Sequence, residues 1–331
     1  MIPELSYSIW ILIALALVFD FLNGFHDSSN IVATMIASHA LSGRQALWIT
    51  AVAHFVGPFL FGVAVATTIG NEVLNDSELE TTVILAALIA SIIWNVITWW
   101  LGIPSSSSHA LVGGLIGAAV IEQGFGVVKF AGLGKVILAL AISPPIGLIA
   151  GYLAMRVVLF LARNSTPSVN ALFKRGQIVT AVALALSHGT NDAQKTMGII
   201  TMGLVSGGVL SAFAVPLWVI ALSAGAIALG TATGGWRLIK TLGAKFFKIR
   251  PIDGFTTQVA SASVILSAAF LGGPVSTTQV VSSTIIGVGS ADRVSKVRWG
   301  TAEHIVLTWV TTIPSAAIMA AVIAFILRRF I

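Results

Sequence analysis

The sequence predicts an all-α integral membrane protein with about 10–12 transmembrane or re-entrant helices, since one span needs roughly 20 apolar residues. Of its 331 residues, 56% are hydrophobic and only 9% are charged, whereas a soluble domain carries about 25% charged residues. Five stretches contain no Asp, Glu, Lys or Arg: 45–71, 81–121, 196–236, 254–291 and 305–327. The longest of these have room for two membrane-depth segments each, which excludes an ordinary soluble core.

The charge distribution indicates membrane topology rather than a nucleic-acid partner. There are 18 basic and 12 acidic residues, and the basic ones lie in short clusters between apolar stretches, as in cytoplasmic loops. No cysteine is present, so disulfides and thiolate chemistry are excluded. No nucleophile, base and third group form a recognisable arrangement. We expect a multi-pass plasma-membrane protein that is not an enzyme, with no cofactor and no nucleic-acid partner.

Two polar motifs interrupt the apolar sequence, and each occurs twice in the same order. The octet 23–30 (NGFHDSSN) lines up with the octet 188–195 (HGTNDAQK). Further along the chain, 102–109 (GIPSSSSH) lines up with 272–279 (GGPVSTTQ) at a similar separation from its octet. Two different motifs recurring in one order predict a chain built from two homologous halves.

The predicted halves are 1–165 and 166–331, with no separate soluble domain. Between its motifs the first half has an acidic loop without basic residues, which contains Glu72, Asp76, Glu78 and Glu80. The corresponding loop of the second half is basic and contains Arg237, Lys240, Lys245, Lys248 and Arg250. Because lysine and arginine mark cytoplasmic loops, the two loops are expected on opposite sides of the membrane. Inverted repeats with broken helices meeting near the midplane are the architecture of many secondary transporters.

Asp27 and Asp192 are candidate cation ligands at membrane depth. Each shares its octet with an asparagine, Asn23 in the first and Asn191 in the second. A carboxylate at this depth is costly and usually faces a cavity or a partner. The alternative is that each aspartate caps a short helix at the bilayer surface. We expect these four residues to lie on unwound stretches and bind a cation, with the two aspartates as metal ligands if the ion is sodium.

Hydroxyl side chains follow a proline in both halves, at Ser105–Ser108 after Pro104 and at 276–278 after Pro274. Proline suits the first turn of a helix, where its missing N–H is not needed. A helix that begins here presents free backbone N–H groups, a positive dipole end and a row of hydroxyls, which favour an anion. An ordinary serine-capped helix start at the membrane face is the alternative.

Lys195 is a candidate cation for an anionic substrate. It follows Asp192 by three residues, which places both side chains on one face of a helix. It therefore either neutralises a buried carboxylate or attracts the anion, and a bound anion can compete for it. Asn30 occupies the same position in the first octet, and we include both residues in the predicted anion site.

These motifs resemble those of the inorganic phosphate transporter (Pit) family, in particular its low-affinity bacterial branch. The resemblance rests on four motif segments, 23–27, 102–109, 188–195 and 274–278. The C-terminal stretch 298–314 is also similar. It implies phosphate import by symport with sodium or protons through inverted repeats, and a homodimer. A metal–phosphate complex is a further candidate for the transported species. A sulfate permease of the same family is the alternative, and an anion channel is the next.

The resemblance also assigns roles to particular residues. The aspartates handle the cation and phosphate, which corresponds to Asp27 and Asp192 here. The predicted phosphate ligands are Asn30, Ser106, Ser107, Ser108, Lys195, Ser276, Thr277 and Thr278. Gln279 stands where many members have histidine, and His54 and Gln258 stand at positions similar to glutamates of the eukaryotic branch. These departures leave the coupling ion open.

Overall fold

The computed structural model describes residues 6–74, 80–244 and 246–329, and over these residues the chain forms twelve α-helices and no strand. The helices are α1 (Tyr7–Ala37), α2 (Gly43–Leu60), α3 (Ala64–Asn71), α4 (Thr81–Leu101), α5 (Ser107–Gln123), α6 (Phe130–Leu161), α7 (Val169–Ser206), α8 (Leu217–Thr233), α9 (Trp236–Ala244), α10 (Pro251–Phe270), α11 (Thr277–Asp292) and α12 (Trp299–Leu327). The predicted all-α class is confirmed. Asp76, Glu78 and Lys245 of the predicted loops lie outside the described residues.

Among the described residues, five helices are long and apolar enough to cross a bilayer: α1, α4, α6, α7 and α12. The count rises to seven if α2 with α3, and α8 with α9, each form one broken span. Helices α5 and α11 have only 17 and 16 residues, below the roughly 20 that a bilayer requires. The prediction of a multi-pass membrane protein with broken and short helices is confirmed.

The order of elements in α1–α6 recurs in α7–α12. Each set begins with a long helix and continues with a bent pair, whose angle is 76° in the first set and 74° in the second. A helix of 21 or 20 residues comes next, then the short helix, then a long final helix. Related halves would give this recurrence. Their boundaries and their inverted orientation stay predictions.

The short helices pack against the final helix of the opposite set, α5 on α12 and α11 on α6. Gly287 allows the second contact, because a Cβ added there would lie 2.1 Å from the carbonyl oxygen of Leu148. Small residues let helix backbones approach in lipid, where no hydrophobic effect drives helices together. The exchange places the beginnings of α5 and α11 next to each other, and Ser108 Oγ donates to the carbonyl of Val275 at 3.2 Å.

Replacing Gly287 with alanine should therefore destabilise the fold by about 1–3 kcal/mol, as overpacking typically does. A backbone carbonyl on the facing helix can move away only by shifting that helix. Gly134→Ala in α6 is the matched control, since a Cβ there meets no atom within 4 Å. Thermal unfolding in detergent measures both variants, and equal midpoints for the two would contradict the packing account.

Two local predictions were wrong. The octets 23–30 and 188–195 are not unwound, because α1 and α7 run through them without a break. Hydroxyls of the octets bond to carbonyls of the same helix: Ser28 Oγ donates to the carbonyl of Phe25 at 2.9 Å, and Ser29 Oγ donates to that of His26 at 3.0 Å. Pro104 does not lie in the first turn of its helix either, and Pro274 is also outside. Serine caps place the helix starts after the prolines, at 107 and 277.

Candidate functional site

The two predicted aspartates meet in the buried centre of the molecule. Asp27 of α1 and Asp192 of α7 lie with His188 so that one ligand atom from each falls within 4.8 Å of the others. All three side chains are buried. Two carboxylates at hydrogen-bonding distance from a common point repel each other unless a cation, a proton or a donor lies between them. Carboxylate and imidazole groups in this arrangement can hold a cation.

The first turn of α11 supplies hydroxyl donors to both carboxylates. Thr277 Oγ1 donates to Asp192 Oδ2 at 2.9 Å and lies 3.5 Å from Asp27 Oδ2. Thr278 Oγ1 donates to Asp27 Oδ1 at 2.8 Å. The same hydroxyl accepts a hydrogen bond from Asn30 Nδ2 at 3.1 Å. Five predicted ligands therefore form one connected network: Asp27, Asn30, Asp192, Thr277 and Thr278.

Lys195 forms a buried ion pair with Asp192. Its Nζ donates to Asp192 Oδ1, and neither side chain is exposed. His188 Nδ1 lies 3.1 Å from the other oxygen of the same carboxylate. The lysine thus has the neutralising role that the sequence allows, and it lies close enough to the paired aspartates to contact an anion there.

The first-half hydroxyls are divided between different partners. Ser107 Oγ donates to Asn23 Oδ1 at 2.7 Å, which ties the first turn of α5 to the octet of α1. Ser108 donates to the segment before α11, as described above. Ser106 is the N-cap of α5, and its oxygen accepts from the backbone N–H of His109 at 3.1 Å. The Ser106 hydroxyl oxygen therefore caps the start of α5.

Two further predicted residues are engaged at the edge of the network. Ser276 caps α11, where its oxygen accepts from the N–H of Gln279 at 3.3 Å. Asn191 Nδ2 donates to the carbonyl of Gly273 at 3.2 Å, in the segment before α11. These side chains position the helix start rather than meeting the carboxylates directly.

Histidines around the aspartates were not predicted as site residues. His188 contacts Asp192 and lies in the same cluster as Asp27, and His26 Nδ1 lies 3.2 Å from Asp27 Oδ1. His54 of α2 stacks on His188, with ring centroids 5.0 Å apart, and its Nδ1 is 2.7 Å from Thr231 Oγ1. The available signal was position alone, because His26 and His188 belong to the octets, while the contact with His54 depends on how α2 packs against α7.

Side chains of both octets also bond to the backbone at the bends between α2 and α3 and between α8 and α9. Gln194 accepts from the backbone N–H of Val65 at 2.8 Å and donates to the carbonyl of Gly62 at 2.8 Å. In the other half Ser28 Oγ accepts from the N–H of Gly235 at 3.0 Å. The helix beginnings at α3 and α9 are thus attached to the same two helices that carry the aspartates.

Replacing Gln194 with alanine should loosen α3, since the orphaned N–H groups of a helix start cost about 0.5–2 kcal/mol when a cap is lost. Amide hydrogen exchange should become faster at 62–71 and stay unchanged in α11. Thr201→Val, a buried hydroxyl change on the same helix, serves as the control. Unchanged exchange at 62–71 in Gln194→Ala would contradict this role.

A multi-helix membrane fold, paired buried carboxylates, a buried lysine and hydroxyl-lined helix beginnings define a transport protein. The chain belongs to the phosphate transporter family, whose sequence profile matches residues 23–320. It is a multi-pass protein of the plasma membrane and a transporter rather than an enzyme, as the sequence predicts.

Known relatives cover nearly the whole chain. A protein of Bacillus subtilis (strain 168) named "Probable low-affinity inorganic phosphate transporter" is 46% identical over 322 residues, covering 96% of each chain. A protein of the same name from Rhizobium meliloti (strain 1021) is 46% identical over 316 residues, covering 95% of each. Among solved structures, one titled "The sodium-dependent phosphate transporter" has a TM-score of 0.87 at 25% identity, over 98% of this chain and 100% of that one.

Proposed function

We propose that the protein imports inorganic phosphate by symport with sodium. The observation that carries this proposal is the convergence of Asp27 and Asp192 beneath the first turn of α11. Carboxylate and hydroxyl oxygens are hard ligands, of the kind that hard cations prefer. The similar solved structure is titled as sodium-dependent, which supports sodium over protons as the coupling ion.

Charge explains why cation and anion travel together. Asp27 and Asp192 carry two negative charges against the single positive charge of Lys195. Phosphate, which is partly divalent at neutral pH, would meet a negative centre of low dielectric, where like charges repel strongly. Cations bound at the aspartates remove that repulsion, so the cation binds first and phosphate follows.

The threonines provide a way for the cation to expose the anion site. In the structure Thr277 and Thr278 donate their hydroxyl protons to the carboxylates. A hydroxyl has one proton and two lone pairs. A cation bound at the carboxylates can therefore be coordinated by the lone pairs of the two threonine oxygens. The hydroxyl protons then point away from the cation and can donate to an anion. The N–H groups at the start of α11, with Asn30 and Lys195, complete a phosphate site.

The opposite starts of α5 and α11 give phosphate a second set of donors. Ser107 and Ser108 lie in the first turn of α5, and Ser108 already contacts the segment before α11. Rocking of one helix group against the other around this junction would alternate access, as in inverted-repeat transporters. A homodimer remains part of the proposal, testable by the mass of the protein in detergent.

A metal–phosphate complex is a second candidate cargo, favoured by the Asp27, His188 and Asp192 ligand set. A ligand set that combines carboxylates with imidazole binds divalent transition metals better than it binds sodium. Uptake that requires a divalent metal and is abolished by a chelator would identify this cargo, with the same residues as ligands.

Labelled phosphate uptake into liposomes containing the purified protein tests the function. The comparison is an inward sodium gradient, an inward proton gradient and no gradient, each with and without excess unlabelled sulfate. We expect accumulation above the external concentration with sodium alone, resistant to sulfate. Accumulation driven by the proton gradient would show that protons, not sodium, are the coupling ion. Sulfate-sensitive uptake would indicate a sulfate permease, and flux that never exceeds equilibrium would indicate a channel.

A further inference from the structure

The short helix α9 is a basic, amphipathic element that the site above does not use. It follows α8 at a bend of 74°. Its inner face is apolar and buried, at Leu238, Ile239 and Leu242. Its outer face is exposed, at Trp236, Arg237 and Lys240. A helix with one apolar face and one exposed basic face is typical of segments that lie in the plane of a membrane surface.

Exposed tryptophans mark the depth of the lipid headgroups around α9. Trp236 is 47% exposed, Trp48 of α2 is 65% exposed and Trp100 of α4 is 64% exposed. The first turn of α2 packs on α9, since a Cβ added at Gly43 would lie 2.6 Å from the Trp236 ring. The end of α4 also contacts α9, because Arg237 donates to the carbonyl of Trp100. Tryptophan is enriched where membrane proteins meet the headgroups, so α9 lies at headgroup depth.

The basic residues around α9 have no acidic partners. Arg44 of α2, next to Gly43, is exposed like Arg237 and Lys240. None of the three forms an ion pair within the part of the chain that the structure describes. No aspartate or glutamate occurs in the segments that meet here, 38–48, 95–106 and 234–252. Each base near the surface strengthens binding to anionic lipid by about fivefold, so three unpaired bases favour an anionic headgroup.

Helix α9 is also bonded to both polar motifs of the first half. The N–H of Gly235, directly before α9, donates to Ser28 Oγ in the octet of α1 at 3.0 Å. Thr241 Oγ1 of α9 donates to the carbonyl of Gly102 at 3.0 Å, in the segment that leads into α5. A displacement of α9 would therefore act on α1 one residue from Asp27, and on the chain before the hydroxyls of α5.

We propose that Arg44, Arg237 and Lys240 bind the headgroup of an anionic phospholipid, and that this lipid keeps α9 in the position that supports α1 and α5. The occupant is a lipid of the bilayer, because the bases lie beside tryptophans at headgroup depth. In a neutral bilayer the three positive charges have no counterpart, so α9 detaches more often and transport slows. This inference goes beyond the proposed symport and requires no particular coupling ion.

The first test is amide hydrogen exchange in lipid nanodiscs, which reports local opening without any transport. Exchange at 236–242 should be slower in phosphatidylcholine discs that contain phosphatidylglycerol than in discs of phosphatidylcholine alone. Lys240→Gln should need about fivefold more phosphatidylglycerol for the same protection. Lys174→Gln, which removes an exposed base at the start of α7, is the matched control and should respond like wild type.

Three outcomes of this measurement would overturn the site. Exchange at 236–242 that does not depend on phosphatidylglycerol would show that no anionic lipid binds α9. An equal shift in Lys174→Gln and Lys240→Gln would reduce the effect to the general charge of the surface. Protection of 236–242 by soluble glycerol phosphate in discs of phosphatidylcholine alone would assign the bases to a soluble anion instead of a lipid.

The second test is the initial rate of phosphate uptake into liposomes of the same two compositions. The rate should rise severalfold with phosphatidylglycerol in wild type and in Lys174→Gln, and less in Lys240→Gln. Sodium-driven uptake at equal rates in both lipids would keep the symport and refute the dependence of transport on the lipid. Lipid-dependent exchange at 236–242 without sodium-driven accumulation would keep the lipid site and refute the symport.

Discussion

Asp27→Asn is expected to abolish uphill phosphate uptake, so that internal phosphate reaches the external concentration and no more. Asparagine has nearly the same shape, but it removes one of two charges that attract the cation. A charge about 4 Å away at an effective dielectric of about 20 contributes roughly 4 kcal/mol, or about a thousandfold in cation affinity. Accumulation driven by a sodium gradient measures the effect directly.

Asp292→Asn is the matched control for this change. It removes the same charge at the end of α11, where Asp292 pairs with Arg250 and Lys296 outside the buried centre. Partly exposed pairs contribute about 0–1 kcal/mol, so this variant should accumulate phosphate like wild type. Uphill accumulation in Asp27→Asn equal to that of the control would remove Asp27 from the coupling mechanism.

Lys195→Met is expected to give the largest loss of stability, about 3–5 kcal/mol, because it leaves Asp192 buried without its partner. The double variant with Asp192→Asn should recover most of that stability, since two neutral side chains of similar size replace the pair. It should bind phosphate more weakly than the Asp192→Asn single variant if Lys195 also binds the anion. Chemical or thermal unfolding and equilibrium binding of labelled phosphate are therefore measured on Lys195→Met, Asp192→Asn and the double variant.

This cycle separates the two roles that the i, i+3 spacing leaves open. Because Asp192 is itself a proposed cation ligand, the double variant is compared with the Asp192→Asn single variant. Equal phosphate binding by these two variants would make Lys195 a structural counter-ion alone. Phosphate binding that Asp192→Asn retains and the double variant loses would make Lys195 a phosphate ligand. Lys195→Met as stable as wild type would contradict the buried ion pair itself.

Composition and motif repetition determined the class, the all-helical fold and the pairing of Asp27 with Asp192. Long stretches without charged residues indicate a lipid environment. A buried carboxylate is costly, so its repetition at equivalent positions of a duplicated chain indicates that both copies function. The anion-binding role of the hydroxyls of 276–278 stays a prediction, made because helix beginnings attract anions. Each of these inferences depends on a property that a residue carries wherever it is placed.

The tertiary structure alone decided the local conformation and the partners. Helices α1 and α7 run without a break through octets whose composition favoured unwinding, because hydroxyls there bond to carbonyls of the same helix. Contacts between distant segments placed His188 and His54 together and brought Thr277 and Thr278 onto both aspartates. Such contacts arise from the packing of whole helices against each other, which residue type and spacing along one chain do not specify.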